Sequence, residues 1–571
     1  MKKKWPEPTL NPQKMERLCS ALGCHPATAA VLINRNYSDP ETAKRFVDAD
    51  LSGLHSPFAM KDMDVAVKRI HQALIKNEKI LIFGDYDADG VSATVILHQF
   101  FARTGARVAY HIPHRFKEGY GLGRQHIEDI AIAQKINLII TVDCGSSSHR
   151  AIEAANENGI DVIVTDHHQI EKRPNAVAVV NPNRSDCTAG FEDFAGVGVA
   201  FCLLICLRKY LRDLNFWRHG QEPNLKEATD LVALGTMADA VDLTIENRRL
   251  VKSGLEIIRT GRRPGIFALM EACGIKDGAI SAEDVAFKLI PRINAAGRMA
   301  HADIAAALLS TEHLDEAIKL ARNLSDLNVA RQAAEAEIMA EIDAFLHRNP
   351  ETLEKPVLVL ARSGWHEGVL GIVASRLMQQ YFCPVVMLAV TNGVGKGSAR
   401  SVPGVNIYEC LNQCADLLVR FGGHAAAAGL TIKAEQIEPL RLNLEKVVST
   451  ALAGEEPVPS LPIDYELDFD AISDGLIDEI ETLEPFGKGN PQPLFMSKNI
   501  QIISAKTIAV KHRRLTLKQI GSQNQKIIVA IHFNAGVDGV DTRSYERIAY
   551  RLQWNRYNGR KTPQLVIEAV E

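Results

Sequence analysis

No apolar run in this chain is long enough to cross a bilayer. The longest, "VGVAFCLLICL" at 197 to 207, falls short of the roughly 18 residues that a spanning helix requires. "MKKKWPEP" leads into no signal-like core, so the expected location is the cytoplasm, with no membrane association. The ten cysteines contain no C-x-x-C pair, and Cys202/Cys206 and Cys410/Cys414 sit four apart in helix-like apolar stretches. They read as reduced core residues rather than disulfides or zinc ligands. An excess of positive charge is also lacking: the formal net charge of -4 excludes a uniformly basic nucleic-acid binder.

What is present is ample apolar material, 46% of 571 residues, enough for three or four packed domains of about 150 residues each. The average charge conceals a division near the C-terminus. Residues 451 to 490 hold eleven Asp/Glu against one Lys, whereas residues 501 to 571 hold twelve Lys/Arg against five Asp/Glu. That change of sign marks a boundary.

From about 79 to 180, the apolar stretches "KILIF", "ARVAYHI", "INLIITV", "DVIVT" and "AVAVV" alternate with helical segments, the pattern of a parallel α/β sheet. Ligands of such sheets bind beyond the carboxyl ends of the strands. "KILIF" is followed by Asp85, Asp87 and Asp89 in "GDYDADG", "INLIITV" by Asp143 in "DCGS", and "DVIVT" by Asp166, His167 and His168; "LKEATDLVALGTM" ends in Asp239 and Asp242. A calcium loop accounts for D-x-D-x-D-G only in its first half, because Ile96 stands where the bidentate Glu belongs. Three strand ends delivering these groups to one rim form a metal shell. Many carboxylates with one or two imidazoles favour Mn²⁺ or Mg²⁺ over zinc, and four or five negative ligands exceed what one divalent ion needs. Two ions about 3.5 to 4 Å apart, bridged by one carboxylate, suit hydrolytic phosphoryl displacement.

Residues 312 to 348 contain no Gly or Pro and read as one long connecting helix or two abutting ones. A second α/β unit runs from "KPVLVLAR" through "GVGKGSARS" to "FGGHAAAAGLTI", "GEEPVPSLP" at 454 to 462 reads as a linker, and short β-like runs from about 497 suggest a small barrel.

The series "DYDADG", "VDCG", "DHH" and "GTMAD" resembles the motifs of the DHH phosphoesterase superfamily, and "GSARS" and "GGHAAAAG" its associated second domain. "HIPHRFKEGYGL", "FAGVGVAF", "PRINAAGRM" and "GWHEGVLGIVASR" are similar to the bacterial RecJ family of single-strand-specific exonucleases, over essentially the whole chain from about residue 50. The resemblance implies an α/β fold in which a parallel-sheet DHH domain and a smaller α/β second domain are joined by a long helix, plus a C-terminal OB-fold-like β-barrel. The expected division is an N-terminal segment 1–50, a DHH catalytic domain 51–311, a connecting helix 312–348, a DHHA1-like substrate-binding domain 355–453 and an OB-fold-like nucleic-acid-binding domain 463–571.

By the same resemblance Asp87, Asp89, Asp143, His167 and Asp239 match metal-ligand positions, with Asp143 the bridge, His168 faces the scissile phosphate, and Asp85 is a ligand or stands just behind them. Asp166 orients a histidine. Asp242 replaces the proline usual in the family and competes with Asp239 for its role. Ser398, Arg400 and His424 suit phosphate. Arg292, Asn294 and Arg298 either clamp the nucleic-acid backbone or cap a helix; Arg115, Lys117 and Tyr120 suit a stacked strand, although Tyr120 equally suits a core. Arg513, Arg514, Trp554, Arg556, Tyr557 and Arg560 interleave basic and aromatic residues as on a single-strand-binding barrel face, and equally resemble a solvated basic edge.

The function implied is a metal-dependent exonuclease with two Mn²⁺ or Mg²⁺ ions, hydrolysing single-stranded DNA 5′ to 3′ to mononucleotides. It would act as a monomer in repair and recombination, beside a single-strand-binding protein and a helicase. The alternatives are a DHH phosphodiesterase of short oligonucleotides or cyclic dinucleotides, and a non-catalytic replication scaffold. The basic C-terminal region is expected to be a separable gripping module, dispensable for hydrolysis of short oligonucleotides.

Overall fold

Runs such as "KILIF" and "LIITV" lack the polar alternation of a half-exposed strand, so they suit a sheet covered on both faces. In the computed structural model, which describes residues 3–8, 10–217, 221–275, 280–453, 457–508, 511–535, 543–557 (Tyr557 without its side chain) and 560–571, they form such a sheet. β1 (Lys79–Phe83), β2 (Arg107–His111), β3 (Leu138–Val142), β4 (Asp161–Thr165) and β5 (Ala178–Val180) are all parallel, in the order β2-β1-β3-β4-β5. Leu81, Phe83, Ile139, Val162 and Val164 share a buried cluster with Ile152 and Ala155 of the helix His149–Glu157. The chain steps outward from β1 to β2 and then returns to β3, so the reversal of direction falls between β1 and β3. In open parallel sheets that point opens the ligand crevice.

The helix expected over 312–348 is continuous, Leu314–Arg348. Beyond it, β6 (Leu358–Ser363), β7 (Val385–Thr391), β8 (Val394–Arg400), β9 (Leu418–His424) and β10 (Ala427–Lys433) form a mixed sheet in the order β6-β7-β8-β10-β9, with only β6 and β7 parallel. "FGGH" is the last stretch of β9, and the turn that follows is Ala425–Ala426. Of the linker 454–462, residues 454–456 lie outside the described residues, while Pro459 to Leu461 are tied to Lys4 by backbone hydrogen bonds of 2.9 and 2.8 Å.

In the C-terminal region β11 (Tyr465–Glu466) leads to β12 (Phe495–Ile508), β13 (His512–Gln519), β14 (Ile527–His532), β15 (Ser544–Tyr557) and β16 (Arg560–Val570), and the β12–β15 pairing closes the last five into a barrel. Three N-terminal helices, Pro12–Leu22, Pro26–Asn34 and Pro40–Asp48, each open on a proline and are capped by the side chains of Asn11, His25 and Asp39. Their Leu18, Leu32 and Phe46 share one core with the barrel's Leu517 and Ile548.

The barrel thus packs with the N-terminal helices rather than standing apart from them. Residues 6–297, 301–322 and 462–571 make one compact unit, and 323–461 with a few short segments make another. Within the first, fully buried Arg248, from the helix Ile245–Arg259, donates to the carbonyls of Phe46 (2.7 Å), Leu483 (2.6 Å) and Thr482 (2.7 Å) and stacks on the Phe46 ring. One guanidinium thus joins the N-terminal helices, the catalytic sheet's helices and the approach to the barrel. Arg248→Met keeps the bulk but takes this donor from the Phe46 and Thr482 carbonyls, while Leu483 keeps the Asn490 amide (2.8 Å), at about 1–3 kcal/mol for each unpaired group. Urea unfolding should therefore show a loss of at least ~2 kcal/mol, in a single transition reporting sheet and barrel together. Independent unfolding of the wild-type barrel would instead support the separable module.

Candidate metal centre

Three neighbouring strands, β1, β3 and β4, end on the same rim and release the acidic motifs there. Asp87 caps the helix Ala88–Arg103, its Oδ1 accepting the amides of Asp89 and Gly90 at 3.0 Å each. That turn folds Asp85 and Asp89 inward, where they are 4% and 1% exposed. Asp143, immediately after β3, is held in the left-handed region (φ 59°), a conformation that costs a non-glycine residue energy and turns its carboxylate into the crevice. His167 and His168 follow β4, and Asp239 ends the helix Thr229–Ala238. Ligating atoms converge in overlapping sets within 4.8 Å: Asp85, Asp87 and Asp143; Asp143, His167 and His168; Asp89, His167 and Asp239. Asp143 and His167 each belong to two of these sets.

The electrostatics have the signature of a cation site. Burial, reinforced by repulsion from neighbouring carboxylates, pushes the carboxyls of Asp85, Asp89 and Asp143 far above their ordinary range and Asp239 up to about 7. Burial, together with the charge of His168, brings His167 down to about 4, so its ring is neutral and able to ligate. Its Nε2 lies 3.1 Å from Asp143 Oδ1 and 3.6 Å from Asp239 Oδ2. Yet His167 Nε2, Asp143 Oδ1 and Asp85 Oδ1 are buried without a hydrogen-bond partner among the described residues. Such atoms are costly unless a group of opposite charge completes them. The donor set, mostly oxygen with one neutral imidazole, fits Mn²⁺ or Mg²⁺.

The surrounding shell is made largely of backbone. Asp89 accepts the amides of Gly196 (2.7 Å) and Val197 (2.9 Å) at the start of the helix Gly196–Asp213, which explains the "FAGVG" stretch. A Cβ on Gly196 would stand 2.5 Å from Asp143, and one on Gly235 2.6 Å from Asp89 Oδ1. Neither glycine stands out in the sequence, although both lie inside quoted motifs. Asp166 Oδ1 lies 2.8 Å from His168 Nδ1 and accepts the amides of both histidines; Asn181 and Asn183, just after β5, hold the His168 and His167 carbonyls. Burial alone would lower His168, but the hydrogen bond and charge of Asp166 bring it up to about 9. "NPN" after a strand of the same sheet was the available signal.

Other candidates fall in varied places. Asp242 pairs with Lys488 (3.4 Å) and joins none of the ligand sets, whereas Asp239 joins one. The Tyr120 hydroxyl is 3.2 Å from His168 Nδ1 while the residue is 47% exposed, so it is no core residue. Arg115 lies over the Tyr86 ring at 4.9 Å. Asn294 accepts the Ala88 amide at 2.8 Å, the capping alternative, Arg298 donates to the Gly368 carbonyl, and Arg292 to that of Lys288.

In the second unit, Arg400 donates to Ser398 Oγ (2.8 Å) and Ser375 Oγ (3.2 Å), close to Gly371 at the start of the helix Leu370–Tyr381. β10 places Ala427 between Arg400 and exposed His424, on one face of the sheet.

The barrel face departs from expectation. Trp554 is 7% exposed, its indole N–H donates to Asp478 (2.8 Å), and Lys561 covers its ring at 4.2 Å. Arg556 makes a two-pronged pair with Glu481, and Arg513 is buried. The helix Asp474–Thr482, rich in the acids counted before the boundary, packs on β15 and meets the bases there, while Arg513 is enclosed on β13; Trp554 and Arg513 are thereby removed from an open face, whereas Arg556 stays exposed in its pair with Glu481. Arg514 remains exposed, paired across strands with exposed Lys506. The Tyr557 side chain lies outside the described residues.

Family models match three stretches: the DHH family, N-terminal domain, at 79–236; the DHHA1 domain at 354–450; and the RecJ OB domain at 463–569. The single-stranded-DNA-specific exonuclease RecJ of Bacillus subtilis (strain 168) is 36% identical over 99% of this chain and 70% of its own. The crystal structure of RecJ in complex with Mn²⁺ from Thermus thermophilus superposes with a TM-score of 0.82 at 30% identity, covering 98% of this chain and 78% of that one. Its counterpart in complex with Mg²⁺ gives 0.76 at 28%, covering 98% and 77%.

The close approach of backbone to carboxylate yields a test. Gly196→Ala should displace Asp143 and weaken Mn²⁺ binding by roughly 10- to 100-fold, the range for lost support around metal ligands. Isothermal titration against a Gly198→Ala control would check it, since the atoms nearest that Cβ belong to the Phe194 side chain rather than to a carboxylate.

Proposed function

The chain belongs to the RecJ family of single-stranded-DNA-specific exonucleases, and on that premise we propose that it degrades single-stranded DNA with Mn²⁺ or Mg²⁺, from the 5′ end to mononucleotides. The observation that carries this reading is the convergence of five aspartates and a neutral histidine, with orphaned buried atoms, at the crevice between β1 and β3. When bound, two such ions supply Lewis acidity to the phosphoryl group and lower the pKa of water. In this reading Asp85, Asp87, Asp89, Asp143, His167 and Asp239 would hold the two ions, and Asp143, which belongs to two of the ligand sets, would serve both. His168, kept protonated by Asp166, faces the scissile phosphate and offsets the charge that develops on it.

The second unit contributes grip: Arg400 and Ser398 of β8, whose side chains lie beside the start of the helix Leu370–Tyr381, with His424 on the same face of the sheet, suit a strand phosphate. On the barrel, Arg514, with Lys506 directly opposite it, keeps the strand-binding role that the resemblance implies. Two like charges directly opposite each other repel, and a backbone phosphate between them relieves the repulsion. The cellular setting we infer is cytoplasmic DNA repair and recombination, with the protein a monomer that works beside a helicase and a single-strand-binding protein.

Digestion of end-labelled single- and double-stranded oligonucleotides with Mn²⁺, Mg²⁺ or chelator tests metal need, strand type and direction together. Mononucleotides released from 5′ ends of single strands, and abolished by chelator, are expected. Asp143→Ala should lose this activity while retaining strand binding, because two cations without their bridge repel. Hydrolysis confined to dinucleotides or cyclic dinucleotides would replace the reading.

The grip has its own test. Arg400→Ala should leave Mn²⁺ affinity unchanged and lower kcat/KM by roughly 10²-fold, the cost of misplacing a reacting phosphate by about 1 Å. Arg400→Lys keeps the charge without the planar fork and should recover only part. Wild-type kinetics in both variants would make Arg400 purely structural.

A further inference from the structure

The stretch "HIPHRFKEGYGLGRQH" places Tyr120, between two glycines, against the metal centre. Gly119 (φ 86°) and Gly121 (φ 79°) flank Tyr120 in the left-handed region, where glycine is at its least restrained. Even so, the Tyr120 hydroxyl reaches His168 Nδ1 (3.2 Å) and the Asp143 carbonyl (3.3 Å). Something outside the glycine pair must hold the tyrosine there.

The neighbouring Glu118 has the contacts to do so. Its Oε2 lies 2.9 Å from His111 Nε2, at the end of β2, and 3.2 Å from His126 Nε2, in the helical turn after the loop. Its Oε1 accepts the His114 amide at 3.0 Å. The amides of Lys117, Glu118 and Gly119 all converge on the His114 carbonyl, so the side chain closes a turn that the backbone has already begun. One carboxylate therefore ties together both ends of the loop and its middle.

The same three side chains have the composition of a zinc site, but the hydrogen bonds contradict it. Gly123 N–H donates to His126 Nδ1 at 2.8 Å, which leaves the ring proton on Nε2, pointing at Glu118. A metal would need that lone pair. The carboxylate also stays ionised: burial opposes this, but the His114 amide and the His111 ring hold it below its ordinary range. An ionised carboxylate only accepts, as both rings and the amide require.

We infer that Glu118 is a positioning residue for hydrolysis: it fixes the loop so that Tyr120 orients His168 toward the scissile phosphate. Tyr120 and His168 then form one functional line with Glu118, and removing either end of the line removes the same thing. The inference rests on the reading of the chain as a single-strand exonuclease.

A double-mutant cycle on single-stranded oligonucleotide at saturating Mn²⁺ tests it. Glu118→Ala and Tyr120→Phe should each lower kcat by about tenfold, as loss of a hydrogen bond to a charged group does, and the double variant should be no more than about twofold worse than either. Glu118→Gln, whose single carbonyl oxygen can serve either the two rings or the His114 amide but not both, should recover only part of the loss. Should Glu118→Ala fail to fold, His111→Asn removes a single donor and must show the same non-additivity on a smaller scale. Multiplying effects, near the product of the two single losses, would overturn the inference, and so would unchanged activity in Glu118→Ala. A bound metal equivalent that Glu118→Ala loses would also overturn it, in favour of a metal site. Wild-type protein inactive on single strands would instead refute the exonuclease reading.

Discussion

Five carboxylates crowd the rim between β1 and β4, and three of them are almost wholly buried. Repulsion at such distances in a weakly polarisable interior is large, and the arrangement persists only if positive charge is brought to it. Much of the surrounding architecture serves that need. The amides of Gly196 and Val197 meet Asp89, the amides of Asp89 and Gly90 meet Asp87, and the glycines at 196 and 235 let backbone approach where a Cβ would collide. What amides cannot supply, divalent cations do, and the orphaned oxygens of Asp85 and Asp143 mark where. Asp143 accepts a strained backbone for the same reason: from the end of β3, the left-handed turn aims its carboxylate at both ligand sets.

The two adjacent histidines divide the work through their neighbours. His167 is buried, neutral and turned to the carboxylates, while His168 is bound to Asp166 and charged. The two rings stay close, with centroids 4.5 Å apart, so it is their different hydrogen-bond partners that make one dipeptide present a neutral ligand beside a cation. The loop carrying Tyr120 extends the second line outward.

Elsewhere in the same unit, charge is used to join. Arg248 has backbone carbonyls rather than an acid as partners, so it ties three segments without placing an anion in the core. The abrupt change of charge sign along the C-terminal sequence is an internal complement: acids of the helix Asp474–Thr482 meet bases of β15 and β16. Charge left over after that pairing, at Lys506 and Arg514, is the part free to act on a partner.

How far the sequence could be read follows from the range of the forces involved. Hydrophobic runs, helix periodicity and the acids that follow them are local, so the five parallel strands, the 35-residue helix, the barrel strands and the rim with Asp85, Asp87, Asp89, Asp143, His167 and Asp239 were all legible in the order of residues. Three things were not: which aromatic is exposed, which acid meets which base, and whether the barrel is a separate module. Trp554 looked like a stacking platform because composition cannot show a helix packing over it from 76 positions away. Gly196 meets Asp89 across 107 positions, and Arg248 meets Leu483 across 235. By itself the sequence determined the elements and the chemistry at their ends, because neighbours along the chain set both. Only the tertiary structure decided which charges are cancelled, which backbone amides serve the site and which surfaces stay open, because those depend on contacts between segments that the linear order keeps apart.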